Sequence, residues 1–283
     1  MINIVYRLKS PKFFEEAIDE IELGGVIVRP TYLSICQADQ RYYQGSRPAE
    51  VLEEKLPMAL IHEAVGEVVF DDSGEFKSGD NVVLIPNTPE GEDVYRANYS
   101  YNSKFRGSGF DGFTSDLIKL DASLVVKIPD DFNLQVSAFI ELLSVAYQGI
   151  SKFDEIAITP KDVTIDHAFE CVGSSASQSA IDQIIDLINP QGTINLFGVS
   201  EYPIPLNTRM VLEKGLTIQG NSRSEREDFV GVVETLKQNP KLFEYLEKLV
   251  TQIYEINSLN DLKEAFDRDY ISRFGKTILK WNK

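Results

Sequence analysis

Residues 164–199 read TIDHAFECVGSSASQSAIDQIIDLINPQGTINLFGV, and this stretch decides the fold of the second half of the chain. Residues 164–172 form a β-prone run that stops at Gly173. Residues 177–188 follow the apolar spacing of an amphipathic helix, which Asn189-Pro190 ends. Residues 192–199 return to a β-prone run, and 216–220 make a third. Further on, 225–237 and 261–267 read as helices and 276–281 as a last strand. Strand–helix alternation of this kind predicts a parallel, doubly wound sheet.

Upstream the rhythm differs. Short β-prone runs at 2–8, 26–35, 64–70, 81–86, 113–120 and 124–128 are separated by turn chemistry such as Asp71-Asp72-Ser73-Gly74 and Ser78-Gly79-Asp80. Many short strands at this spacing predict a barrel or sandwich. A long loop at 87–112 has the length of a functional or mobile segment. A helix is expected over 134–153, where Val136, Phe139, Ile140, Leu143, Tyr147 and Ile150 recur at three and four.

The 283 residues suggest two domains, and 43% hydrophobic residues suffice for a core. Lys plus Arg number 28 against 44 acidic residues, a net charge of −16, which disfavours nucleic acid and anionic membrane surfaces as partners. The opening MINIVYRLKSPKFFEE has no apolar core of a secretory leader, and no apolar run has the length of a membrane span. Two cysteines make no disulfide framework, so a reducing cytoplasm is the expected compartment.

Cys36 ends one predicted strand and His62 precedes another, 26 residues on. Glu141 lies in the apolar run Phe139-Ile140-Glu141-Leu142-Leu143, where a carboxylate needs a partner. A thiolate, an imidazole and one or two carboxylates can make an open zinc site that polarises an alcohol or carbonyl oxygen. The same residues also have ordinary readings: a small buried thiol, a hydrogen-bonded imidazole and a paired carboxylate.

Six segments, in order along nearly the whole chain, resemble the zinc-containing medium-chain dehydrogenases/reductases. They are Cys36-Gln37-Ala38-Asp39, His62-Glu63-Ala64-Val65-Gly66, the turn at 76–83, Asp111-Gly112-Phe113, the strand at 166–173 and the strand at 275–279. The texture of 28–36, 39–43, 166–173 and 207–209 is similar to the ribulose-5-phosphate reductases of teichoic acid synthesis. The resemblance implies a co-chaperonin-like catalytic barrel over 1–147 and 256–283, with a Rossmann-like parallel-sheet domain over 148–255. It implies one zinc on Cys36, His62, Glu63 and Glu141, one glutamate acting through water, with Asp39 orienting the imidazole. It also implies NADPH, reduction of ribulose 5-phosphate to ribitol 5-phosphate, a homodimer, and the cytidylyltransferase of the same pathway as a partner. Relatives with a second, structural zinc use four cysteines in the loop corresponding to 87–112, and this loop has none. Ala38 stands where many relatives carry a proton-passing hydroxyl, so water beside Glu63 or Glu141 takes that role. Other polyol or alcohol oxidation is the nearest alternative.

The Rossmann-like domain looks truncated. Its first half should carry a strand, Gly-x-Gly-x-x-Gly and a helix, yet 149–198 holds no such motif. Roughly 60 residues of an ordinary dinucleotide domain are missing, at a junction near Ile158-Thr159-Pro160. That leaves room for a reading of another class, a zinc-binding or assembly module without catalysis. Cys171, Gly198 and Val199 fall at carboxyl ends of the predicted parallel strands, where such sheets bind ligands. Lys276 resembles a basic residue that relatives place on the pyrophosphate, or is a solvated lysine. Arg41, Arg47, Arg106 and Arg223 are candidates for a substrate phosphate, each with a plain surface reading beside it.

Overall fold

The structure is a computed structural model that describes residues 1–90, 97–100, 102–151, 165–272 and 274–283. It divides into two compact units, Met1–Ser144 with Arg223–Lys283, and Val145–Ser222.

In the first unit β1 (Ile2–Ser10) and β2 (Phe13–Glu20) form a hairpin. Next come β3 (Val26–Ser34) and two short helices, α1 (Gln37–Tyr43) and α2 (Ala49–Lys55). Strands β4 (Met58–Ala59), β5 (Glu63–Asp71) and β6 (Asn81–Leu84) follow, then a small ribbon of β7 (Asn87–Thr88) and β8 (Lys104–Phe105). Strands β9 (Ile118–Leu120) and β10 (Val125–Lys127) complete this run. The single helix expected over 134–153 is two, α3 (Leu134–Ser137) and α4 (Ile140–Ser151). Tyr147 and Ile150, assigned from spacing to its apolar face, are exposed.

The second unit holds β11 (His167–Glu170), α5 (Ser177–Leu187), β12 (Thr193–Leu196), α6 (Thr208–Lys214) and β13 (Thr217–Gly220). Its strands pair parallel in the order β11-β12-β13. Ile181, Ile185 and Ile188 of the α5 segment pack with Ile194 of β12, as the apolar spacing requires. The junction near 158–160 and the end of the expected helix at Phe153 lie outside the described residues.

The chain returns to the first unit with α7 (Arg226–Gln238), α8 (Leu242–Glu247), β14 (Val250–Ile256), α9 (Leu259–Ile271) and β15 (Lys276–Trp281). The boundary drawn from sequence put 148–255 together, whereas residues 223–255 pack with the first unit. The reason is α7: Phe229, Val232, Val233 and Leu236, spaced by three and four, bury against Val83 and Val126 of the barrel sheet. Arg226 ties that helix to the carbonyls of Ala122 and Val125.

The main sheet runs β10-β6-β5-β3-β15-β14, with β9 also on β3. A second sheet, β2-β1-β4, packs over it. Alternation gives the main sheet two buried faces: Val82 and Leu84 join the core between the sheets, Val83 and Ile85 the core under α3 and α7. Among the described residues no helix is long and apolar enough to cross a membrane.

Candidate metal centre

Strand register assembles the centre. In the antiparallel pair β3–β5, Ser34 stands opposite Glu63. Cys36 lies two residues past Ser34 and His62 one before Glu63, so the pairing carries thiol and imidazole to one sheet end. In the pair β15–β3, Ile278 stands opposite Ser34, which brings Lys276 to the same end. Ligand atoms of Cys36, His62 and Glu63 all lie within 4.8 Å of one another. His62 and Glu63 are buried, 7% and 1% exposed.

Asp39 braces this arrangement from the first turn of α1. It is wholly buried; one carboxylate oxygen accepts the Cys36 N–H at 2.9 Å and the other the Ile61 N–H at 2.9 Å. The same Oδ1 is 3.7 Å from His62 Nδ1, which leaves Nε2 for a ligand. One side chain therefore fixes the backbone beside both Cys36 and His62 and faces the ring. Ile61 has φ of 69°, strained for a β-branched residue, and it is held there by Asp39 and by the Phe113 N–H on its carbonyl. Gly112 makes this approach possible, since a Cβ there would meet the Ile61 carbonyl oxygen at 2.3 Å.

Glu63 is held on one side only. Lys276 Nζ donates to Glu63 Oε1 at 2.7 Å and to the Ile35 carbonyl at 3.0 Å. Oε2 of Glu63 is buried with no hydrogen-bond partner. Burial pulls the Lys276 ammonium down, but Glu63, Cys36 and Asp39 outweigh it and raise it. Burial likewise lowers His62, and Asp39 with Cys36 lifts it well above the usual imidazole range. Glu141, in the first turn of α4 and 5% exposed, lies outside the 4.8 Å group but feels its charges. Desolvation pushes its carboxyl up to about 7, with His62 and Lys276 opposing and Glu63 and Asp39 adding to the rise. A soft thiol, an imidazole and a carboxylate with an orphaned oxygen suit zinc, whose charge would compensate the buried acids. Cys36, His62 and Glu63 would hold it, with Glu141 beside them.

The other predicted residues separate. Lys276, expected at a pyrophosphate, donates to Glu63 and to the Ile35 carbonyl. Arg106 donates to the carbonyls of Asp111 and Lys119 and lies over the rings of Phe110 and Phe113, with its Nε buried and without a hydrogen-bond partner. Arg47 lies over the Tyr42 ring, and Arg41 and Arg47 hold further interactions. Arg223 lies over the Phe105 ring. In the second unit Gly198 and Val199 come together with Gly173 around Glu170, which accepts the N–H groups of Val172, Gly173 and Gly198 and the Ser177 hydroxyl. Ser174 N–H binds the Val199 carbonyl, and Cys171 is exposed beside them. Phe105 was not foreseen: its ring packs on His62 with centroids 5.2 Å apart. The unusual length of the 87–112 loop was its one signal. The string Gly107-Ser108-Gly109-Phe110-Asp111-Gly112 spells Gly-x-Gly-x-x-Gly but turns within the barrel, with no helix after it.

Comparison with known proteins agrees with this geometry. The Alcohol dehydrogenase GroES-like domain family matches residues 22–130 and the Zinc-binding dehydrogenase family matches 145–238. Ribulose-5-phosphate reductase 1 of Staphylococcus aureus (strain NCTC 8325 / PS 47) is 43% identical, over 99% of each chain. The chain belongs to the zinc-containing medium-chain dehydrogenase/reductase family. Within this family the ribulose-5-phosphate reductase of Bacillus spizizenii is 41% identical, again over 99% of each chain. The crystal structure of S. aureus TarJ in complex with NADPH superposes with a TM-score of 0.87 at 39% identity, covering both chains fully. The alignment with the S. aureus reductase spans 339 positions against 283 residues here, so at least the difference, 56, has no counterpart in this chain. Among its described residues the parallel-sheet unit has three strands.

Proposed function

We propose that this dehydrogenase reduces D-ribulose 5-phosphate to D-ribitol 5-phosphate with NADPH, supplying CDP-ribitol and teichoic acid synthesis. The observation that carries the reading is end-to-end identity of 43% to a ribulose-5-phosphate reductase in a chain that assembles Cys36, His62 and Glu63. When bound there, zinc polarises a carbonyl oxygen and stabilises the developing negative charge. Asp39 orients the imidazole, Lys276 holds Glu63, and water beside Glu63 or Glu141 carries the proton, since Ala38 has no hydroxyl to pass it. A cytoplasmic homodimer, handing its product to the cytidylyltransferase of the same pathway, completes the proposal.

NADPH fits these residues less well than zinc does. Cys171, Gly198 and Val199 keep the strand-end crevice, but 149–198 has no glycine-rich turn for a pyrophosphate. This favours a second reading, a zinc-dependent sugar-phosphate binder without turnover. One paired measurement on zinc-loaded protein decides between them: calorimetric binding of ribulose 5-phosphate, and zinc-dependent oxidation of NADPH by it. Binding with oxidation supports the reductase. Binding without oxidation establishes the second reading, and failure to bind removes both.

A further inference from the structure

We propose that Arg223 selects the phosphorylated substrate at the Cys36–His62–Glu63 centre, its guanidinium taking the terminal phosphate of a sugar phosphate whose carbonyl faces that centre. The proposal rests on the reading of the site given above and names the side chain behind its substrate preference.

The ribbon β7–β8 packs Phe105 on His62 with centroids 5.2 Å apart and planes at 57°. The Arg223 Cζ lies over the same ring, 5.2 Å from its centroid. Guanidinium and imidazole are therefore at most twice that, 10.4 Å, apart. An open-chain pentulose 5-phosphate sets its phosphorus about 6 Å from the carbonyl carbon, by ordinary bond lengths. A carbonyl held at the metal-binding group thus leaves the phosphate within reach of Arg223.

Three further observations single this arginine out. Its backbone has φ of 59°, a conformation that a residue with a side chain seldom adopts and that collects at functional sites. Among the described residues no carboxylate pairs with it, and partial burial alone pulls its basicity down. A half-buried guanidinium without a counter-ion is a ready anion site, and its paired donors match phosphate oxygens. Each of the other candidates has partners: Arg106 donates to two carbonyls, and Arg41 and Arg47 hold other interactions. The ring of Phe105 meanwhile fixes the guanidinium by a cation–π contact while bounding the space beside His62.

The test compares ribulose 5-phosphate with free ribulose by calorimetry on zinc-loaded protein, for wild type, Arg223→Gln, Arg223→Lys and Phe105→Leu. Arg223→Gln should weaken binding of the phosphate about 10- to 100-fold and leave ribulose within about 2-fold. Arg223→Lys should recover part of the loss, because the charge returns without the fork. Phe105→Leu should lower the phosphate preference about 2- to 5-fold, the worth of an exposed cation–π contact. Unchanged zinc content certifies that each variant folds. Arg223→Gln with zinc bound and the wild-type preference intact overturns the assignment alone. Wild type that binds ribulose as tightly as its phosphate overturns the assignment and the substrate reading together.

Discussion

Replacing Asp39 by Asn separates a metal-site brace from an ordinary helix cap. The wild-type carboxylate accepts two buried N–H groups, from Cys36 and Ile61, and faces His62. Asparagine keeps one acceptor oxygen and turns an amide NH2 toward the other N–H. One buried backbone donor is then unpaired, at a cost of about 1–3 kcal/mol in the stability of the first unit. A cap alone would produce only that loss. As a brace on two metal-binding residues, Asp39 should also govern affinity, and loss of such a partner weakens metal binding about 10- to 100-fold, or about 1.4–2.7 kcal/mol. Zinc affinity is read by competition against a chromogenic chelator, with urea unfolding measured in parallel. If the variant unfolds earlier but binds zinc within about 2-fold of wild type, Asp39 is a cap and the brace is refuted.

Other perturbations follow from the same contacts. Lys276→Met strands Glu63 as an unpaired buried carboxylate, a loss of about 3–5 kcal/mol; saturating zinc should reduce that loss, which urea unfolding with and without zinc will show. Glu170→Ala removes the acceptor of three N–H groups and one hydroxyl, so the second unit should lose hydrogen-exchange protection around β11 and β12 while the first unit keeps its own. The Asp116 carboxyl is raised by burial despite the Tyr6 hydroxyl on it. Its folded form therefore holds the proton more tightly than the unfolded chain, and stability is lost as pH rises from the usual aspartate value, about 4, through the raised one. Asp116→Asn keeps an acceptor for Tyr6 and should flatten that slope in a melting-temperature series.

The sequence carries the alternation of the second unit plainly, because α5 buries Ile181 and Ile185 at helical spacing between short β-prone runs that become β11, β12 and β13. The candidate zinc ligands were legible only through the motif, since the 25 residues between Cys36 and His62 say nothing about β3–β5 register. Asp39 reads as a turn residue until its two acceptors are seen to hold Cys36 and Ile61. The Lys276–Glu63 contact was not legible: the two residues are 213 apart, joined through two strand pairings that no local pattern encodes. Strand β2 also escaped notice, as Glu15, Glu16, Asp19 and Glu20 interrupt its apolar residues and only Phe14 is buried. The resemblance puts 223–255 with the parallel sheet, whereas α7 buries its apolar face on the barrel sheet.

The most direct test of the account is the zinc content of the purified, metal-replete chain, measured by mass spectrometry for wild type, Cys36→Ser and His62→Ala. One zinc per wild-type chain, with both variants retaining less than about a tenth of it under the same chelator wash, is the predicted result. A folded wild-type chain without zinc, or variants that keep a full equivalent, would contradict it.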